Sequence, residues 1–196
     1  MPTPLDLSTE LMAVNIILAG DGEQPVDDIE VITSPLVLQA HNALHEASRS
    51  IQTSGWYWNR EDDWELPKDE DDKIPVPYSV LSISEVRCSG QEDLVQRGNF
   101  LYSRTNHRYT FDATITSATV NAIVYLEWEE LPEFAKQAII YLAQRRFQMR
   151  ELTSVQIDAA IKDDLDVALA ELQHKEDEQG PQNRIDGSLR GQARRR

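Results

Sequence analysis

Residues 122–148, AIVYLEWEELPEFAKQAIIYLAQRRFQ, contain the point at which this chain changes from strands to helices. The first eight residues are rich in β-branched and aromatic side chains, which is typical of a strand. We interpret the end of this segment, EWEE at 127–130, as the solvent side of the strand. Pro132 then opens a helix, because proline fits the first helical turn. A broad apolar face follows, formed by Phe134, Ala138, Ile139, Leu142, Ala143 and Phe147.

A strand-like period of two extends back from this point to Trp56. Further strands are predicted at VLSISEVRC (80–88), NFLYSR (99–104) and RYTF (108–111). Trp56 and Trp58 are predicted on a strand, before a polar turn at 59–63 and a second strand segment that ends at Pro67. Gly, Asn and Ser turns separate the segments, so the pattern indicates an antiparallel sheet.

Three more helices are predicted outside this region. The first helix starts after Ser8 or Thr9 and stops at GDG (20–22), and the second starts at Ser34-Pro35 and stops near Gly55. The fourth starts after Thr153 or Ser154 and ends in the polar segment HKEDEQG. Their apolar stripes are Leu11, Val14, Ile17 and Leu18 in the first, Leu36, Ala40, Leu44, Ala47 and Ile51 in the second, and Ile157, Ile161, Leu165, Ala168 and Leu172 in the fourth.

No helix could bury its stripe alone, so helices from the two ends of the chain must pack together. This predicts an α+β fold, in which four main helices from both chain ends form a bundle and an antiparallel β-rich part is inserted in the middle. The predicted domains are a helical domain of residues 1–55 and 131–179, a β-rich domain of residues 56–130, and a disordered basic tail of residues 180–196.

Charge is distributed unevenly along the chain. The 34 acidic and 19 basic side chains give a formal net charge of −15. Residues 180–196 hold five arginines and one aspartate, so the 179 residues before them carry a net charge of −19. Phosphate repels such an acidic body at low salt. This excludes a conventional reader of duplex DNA, but it allows a protein that surrounds DNA without gripping it.

Features of membrane and exported proteins are missing from the sequence. No apolar run approaches the roughly 20 residues that span a bilayer, and the start, MPTPLDLSTE, has neither a basic nor an apolar signal region. The single cysteine, Cys88, cannot form an internal disulfide and is interpreted as a small packed side chain. We therefore expect the protein to be made in, and to remain in, the cytoplasm.

His41 and His45 have a spacing at which two imidazoles can share a metal on a helix. Asn42 follows His41, however, where a zinc protease would need glutamate, and no third ligand is evident. We interpret the pair as the polar edge of a packed helix. The segments GDGEQPVDD at 20–28 and PKDEDDK at 67–73 match neither a dinucleotide loop nor a calcium loop. The sequence thus predicts no catalytic, cofactor-binding or metal site.

The stretch SGWYWNREDDWELPKDEDD, residues 54–72, allows two interpretations. Glycoside hydrolysis needs two carboxylates about 5–9.5 Å apart beside aromatic rings that stack on sugar. Alternatively, Trp56 and Trp58 share one strand parity, as do Trp64 and Leu66, so that these side chains point into a core. We favour the core, with the carboxylates in a turn and a solvated loop. A glycoside hydrolase acting on host-surface polysaccharide remains the alternative function, and a sugar-binding module is a third.

Four phrases occur in a characteristic order and spacing: LMAVNIILAGDGEQPV, SGWYWN, YTFDATIT and LPEFAKQAIIYLAQRRFQ. Together they resemble the tail tubular protein A family of short-tailed bacteriophages. The resemblance runs from about Glu10 to Leu152, whereas the fourth helix and the basic tail differ in detail.

The resemblance implies a structural virion protein that acts as an adaptor or gatekeeper ring. Such a ring joins the portal protein to the tail nozzle protein, tail tubular protein B, with tail fibres attached nearby, and forms part of the DNA ejection channel. It implies a homo-oligomer, a dodecamer in the virion, through which genomic DNA passes without specific binding, and it implies no membrane contact. The family offers no catalytic residues to carry over, so neither enzymatic activity nor a cofactor is expected. The expected location is the virion tail.

Overall fold

The structure, a computed structural model, describes residues 9–20, 22–29, 34–90, 92–151 and 155–179. These residues divide into two compact units. A helical unit contains the described residues up to Ile51 and from Glu127 onward, and a β-rich unit contains Gln52–Leu126. The α+β fold is therefore confirmed. The predicted caps Thr153 and Ser154 and the predicted tail at 180–196 lie outside the described residues.

Four α-helices account for the helical part of the fold: α1 Glu10–Ala19, α2 Pro35–Gln52, α3 Glu133–Glu151 and α4 Val155–Gln179. The hydroxyl of Thr9 accepts a hydrogen bond from the Met12 N–H at 3.3 Å, which confirms Thr9 as a cap of α1. That helix ends before Gly20, whose N–H donates to the Ile16 carbonyl. Within the described ranges, no helix is long and apolar enough to span a membrane.

Helices from opposite ends of the chain share one core in the helical unit. Two α3 glutamines bond to carbonyls at the C-terminal end of α1: the Gln144 side chain donates to Ile16 at 3.1 Å, and that of Gln148 donates to the C-cap residue Gly20 at 2.9 Å. The buried apolar side chains include Val14, Ile17 and Leu18 of α1, Ala138, Ile139, Ala143 and Phe147 of α3, and Leu165, Ala168 and Leu172 of α4. Stripes from α1, at one end of the chain, and from α3 and α4, at the other, are thus packed together. Of the predicted stripe residues, Leu11, Phe134, Leu142 and Ile161 are half-buried, and the side chain of Ile157 lies outside the described part of the chain.

The predicted stripe of α2 is confirmed at Ala40, Leu44, Ala47 and Ile51, which are all buried. Val37 is buried, whereas Leu36 is half-buried. Val37 lies three residues before Ala40, and the next buried side chains, Ala43 and Leu44, lie three and four residues after Ala40. This spacing of three and four keeps side chains near the centre of one helix face, and Leu36 falls to its edge.

Five strands build the β-rich unit: β1 Arg60–Pro67, β2 Val80–Cys88, β3 Leu94–Arg97, β4 Phe100–Ser103 and β5 Ser117–Val124. The first, second and fifth form an antiparallel sheet in the order β1-β5-β2, while β3 and β4 form a hairpin. The central strand β5 buries one face, made of Ala118, Val120, Ala122 and Val124.

Three strand predictions are wrong, two of them at 108–111 and 122–129. The strand predicted over 122–129 ends at Val124, and Trp128–Glu130 form a 3-10 turn in which Trp128 is buried. The Glu130 side chain closes this turn by accepting the Glu127 N–H at 3.2 Å. Of the predicted strand RYTF, Arg108 makes one bridge to Ser103 and the rest is loop, because Phe111 is buried and its N–H donates to the Asp72 carbonyl at 2.8 Å.

The predicted strand at Trp56 and Trp58 is also wrong, because these residues lie in a turn closed by Asn59. The buried Asn59 side chain accepts the Trp56 N–H at 2.7 Å and donates to the carbonyls of Gln52 and Val124 at 2.9 and 3.0 Å. These bonds end the turn, so β1 starts at Arg60, within the segment predicted as a polar turn.

Candidate functional site

The carboxylates of residues 61–63 lie on an exposed irregularity of β1. Pairing with β5 shifts register between Glu61 and Trp64, and Asp63 has a positive φ of 56°. The Asp63 N–H donates to the side-chain oxygen of Asn121 at 2.9 Å, and its carboxylate pairs with Arg87. Asp63 therefore has a structural function in the sheet.

The second group of carboxylates, in the loop at 68–73, stabilises a tight turn. One Asp69 side-chain oxygen accepts the N–H groups of Asp71 and Lys73 at 3.0 and 2.8 Å. The ammonium of Lys68 lies 2.7 Å from the Asp72 carboxylate and also donates to the carbonyls of Phe111 and Asp112. The loop is thus held by its own acidic side chains.

The three tryptophans of the stretch are half-buried, which decides how far they could stack on a sugar. Trp64 packs against the hydrophobic core of the β-rich unit. The indole nitrogen of Trp58 is shielded from solvent and has no hydrogen-bond partner among the described residues. The rings of Trp56, Trp58 and Trp64 therefore do not form a row of fully exposed platforms.

Acidic side chains predominate on the solvent face of the three-stranded sheet. Glu65 accepts a hydrogen bond from the Ser117 hydroxyl at 2.6 Å, and Glu85 accepts one from the Asn121 amide at 3.3 Å. Asp63 lies on the same face and pairs there with Arg87. We call Asp63, Glu65, Glu85 and Arg87 the outer sheet face. It is a solvated surface with an excess of negative charge.

Arg108 binds two carboxylates elsewhere in the β-rich unit. Its guanidinium meets both oxygens of Asp112 at 3.0 and 2.8 Å, and it lies 3.3 Å from Glu92. The hydrogen bonds and charge of Arg108 lower the pKa of the Asp112 carboxyl. A general acid needs the opposite shift, so Asp112 is suited to an ion pair and not to proton donation at neutral pH.

His41 and His45 are joined in the helical unit by a residue that sequence spacing did not reveal. Glu10, the first residue of α1, has one carboxylate oxygen 3.0 Å from Nε2 of His41 and 2.8 Å from Nε2 of His45. The two Nε2 atoms lie 3.2 Å apart. We call Glu10, His41 and His45 the triad. Burial is the main cause that lowers the pKa of His41, and the charge of the neighbouring His45 lowers it further.

The helical unit also contains an open cleft of about 480 Å³. Its lining is mainly apolar and comes from α1, α3 and α4: Ile16, Phe134, Gln137, Ile140, Tyr141 and Glu171, with Glu133 and Lys136. The buried ammonium of Lys136 lies 3.2 Å from the Glu133 carboxylate and 5.9 Å from the centre of the Trp128 ring. Its charge is therefore already compensated.

Cys88 lies half-buried at the end of β2, where its thiol points to the Glu92 carbonyl at 3.8 Å. This environment agrees with its interpretation as a small packed side chain.

Comparison with known proteins identifies a family. The sequence model of a family described as tail tubular protein matches residues 11–182, well over half of the chain. No curated protein matches the chain.

Proposed function

Since the chain belongs to the tail tubular protein family, and so is a structural component of the phage virion tail, we propose that it forms the adaptor ring between the portal and the tail nozzle. The observation that carries this proposal is the family match over residues 11–182. In this role, copies of the chain surround the channel through which the genome leaves the head, the portal protein binds one side of the ring, and the nozzle protein and tail fibres bind farther along.

The negative charge of the chain supports the proposal that DNA passes through the channel without being bound tightly. Each lysine or arginine that neutralises a phosphate releases counterions, and this makes binding tighter at low salt. The outer sheet face has the opposite sign, since it carries Asp63, Glu65 and Glu85 against Arg87. An acidic lining therefore lets the duplex slide.

The same charge predicts how the ring assembles. Copies that carry a net charge of −19 on residues 1–179 repel one another, and salt screens this repulsion over about 8 Å at physiological ionic strength. We therefore expect monomers in dilute solution and ring closure on a preformed portal, whose contacts outweigh the repulsion.

Electron microscopy of the purified chain mixed with portal rings of the same phage tests the proposal. The expected result is an added ring with twelve-fold symmetry at one end of each portal, and nozzle protein that binds only to portals carrying this ring. Portals that remain bare, or that bind nozzle protein directly, would contradict the adaptor role.

We also propose that the acidic stretch has no hydrolytic role. The support is that Asp63 pairs with Arg87, Asp69 bonds to its own loop, and Trp64 packs against the core. A triple variant, Glu61→Gln, Asp62→Asn and Asp63→Asn, should assemble on portals like the original chain, and neither protein should cleave polysaccharide. Cleavage by the original chain that disappears in the folded triple variant would establish the glycoside hydrolase instead.

A further inference from the structure

The triad brings three metal-binding atoms from two helices to one place. His41 and His45 lie one turn apart on α2, and Glu10 lies at the start of α1. The Nε2 atoms and one carboxylate oxygen are separated by 2.8, 3.0 and 3.2 Å. Among the described residues, these three form the one group of three or more His, Cys, Asp or Glu side chains whose ligand atoms converge in this way.

The size of this triangle fits a metal ion. Bonds of about 2.0–2.2 Å in a tetrahedral site place the ligand atoms roughly 3.3–3.5 Å apart. The distances in the triad are slightly shorter, so small side-chain rotations would open it to the required size. Glu10 and His41 are each about a quarter exposed, at 25% and 23%, and His45 is 45% exposed, so an ion can enter from solvent.

One polar atom of the triad lacks a hydrogen-bond partner among the described residues. The Glu10 oxygen between the two rings is shielded from solvent, yet it accepts no well-directed hydrogen bond from any residue that the structure describes. Both Nε2 atoms are close enough to this oxygen to donate a hydrogen bond, but neither N–H points at it. Shielded polar atoms are normally satisfied, and a cation among the three atoms would satisfy this one.

The ligand types select the ion. Two imidazole nitrogens and one carboxylate oxygen suit Zn²⁺, whereas Ca²⁺ and Mg²⁺ prefer oxygen ligands. We propose that Glu10, His41 and His45 bind one Zn²⁺, which links the start of α1 to α2 and keeps a fourth position open to water. This inference concerns the helical unit alone and does not depend on the adaptor role.

Titration calorimetry of the full, untagged chain with ZnCl₂ tests the site. The expected stoichiometry is one Zn²⁺ per chain, retained in excess Mg²⁺. Loss of a group that merely supports a ligand costs about 10–100-fold in metal affinity. His41→Ala, His45→Ala and Glu10→Gln should therefore each weaken Zn²⁺ binding at least tenfold.

His174→Ala is the matched control. His174 also faces a carboxylate one turn away, with its Nε2 3.4 Å from Glu178, but it belongs to no cluster of three ligand side chains among the residues that the structure describes. Its removal should leave Zn²⁺ affinity unchanged. Circular dichroism should show that every variant keeps its helices, and Co²⁺ bound to the original chain should give the intense visible absorption of a four-coordinate site. Zn²⁺ affinity that is equal in the original chain and in folded His41→Ala and His45→Ala variants would refute the site, as would equal binding of Mg²⁺.

Discussion

The acidic stretch at 61–72 and the triad differ in how completely their polar atoms are satisfied. In the stretch, Asp69 accepts two backbone N–H groups and Asp63 pairs with Arg87. The triad has one carboxylate, that of Glu10, and the oxygen between its two imidazoles has no directed partner among the described residues. Several carboxylates in a dense run can thus be engaged by the fold itself, whereas a sparse group can remain available to a ligand.

The largest effect is expected just before the acidic stretch, at Asn59. Asn59→Ala removes three hydrogen bonds and leaves backbone groups of Trp56, Gln52 and Val124 without them. Because each of these hydrogen bonds contributes about 0.5–1.5 kcal/mol net, the free energy of unfolding should fall by roughly 2–4 kcal/mol. Urea unfolding followed by tryptophan fluorescence measures the change. Asn121→Ala is the control: its side chain makes exposed hydrogen bonds to Asp63 and Glu85 of the outer sheet face, so its loss should cost less than about 1 kcal/mol. Equal losses would show that Asn59 does not organise the stretch.

The second largest effect is expected from Zn²⁺ binding at the triad. At a Zn²⁺ concentration 100 times the dissociation constant, binding to the folded state alone adds about 2.7 kcal/mol to stability. Thermal unfolding with and without ZnCl₂ should therefore show a rise in Tm for the original chain and for His174→Ala. The double variant His41→Ala with His45→Ala should show no rise. A Tm increase of the same size in the double variant would mean that the metal acts elsewhere.

A smaller effect is expected from the satisfied carboxylate Asp112. Arg108 lowers its pKa from an ordinary value of 3.8, so the pair stabilises the fold above that pH. This contribution is lost as the pH falls below 3.8 and through the lowered pKa, because Asp112 then becomes protonated. Asp112→Asn should therefore lower the urea midpoint slightly at pH 7 and not at strongly acidic pH. A difference that persists at acidic pH would indicate packing and not charge.

The smallest effect on stability is expected from residues 180–196. We propose that their five arginines order on docking and meet carboxylates of a neighbouring subunit or of the portal. Truncation after Gln179 should leave Tm nearly unchanged and weaken portal attachment, most visibly at low salt. Portal binding that is unaffected by the truncation at every salt concentration would exclude a role for this segment in assembly.

Much of the fold could be predicted because the signals are local. Thr9 caps α1, Pro35 begins α2, and the strand at Val80–Cys88 has the predicted bounds. The errors at Trp56–Asn59, at RYTF and at the end of β5 have a common cause. In each, a side chain or backbone group bonds to a residue that is distant in the sequence or to a cap, as Asn59 does with Val124 and Phe111 with Asp72. The hydrophobic periodicity of a sequence carries no information about such bonds.

By itself, the sequence determined the class of the fold, the helical stripes, the acidic charge and the family, because composition, periodicity and ordered phrases are properties of the linear chain. Only the tertiary structure decided which carboxylates are occupied and which one faces two imidazoles. Glu10 is 31 positions from His41, and nothing in the spacing of the two residues relates them. They meet because α1 and α2 pack in one helical unit, and a ligand set made by packing is visible only after the helices are in place.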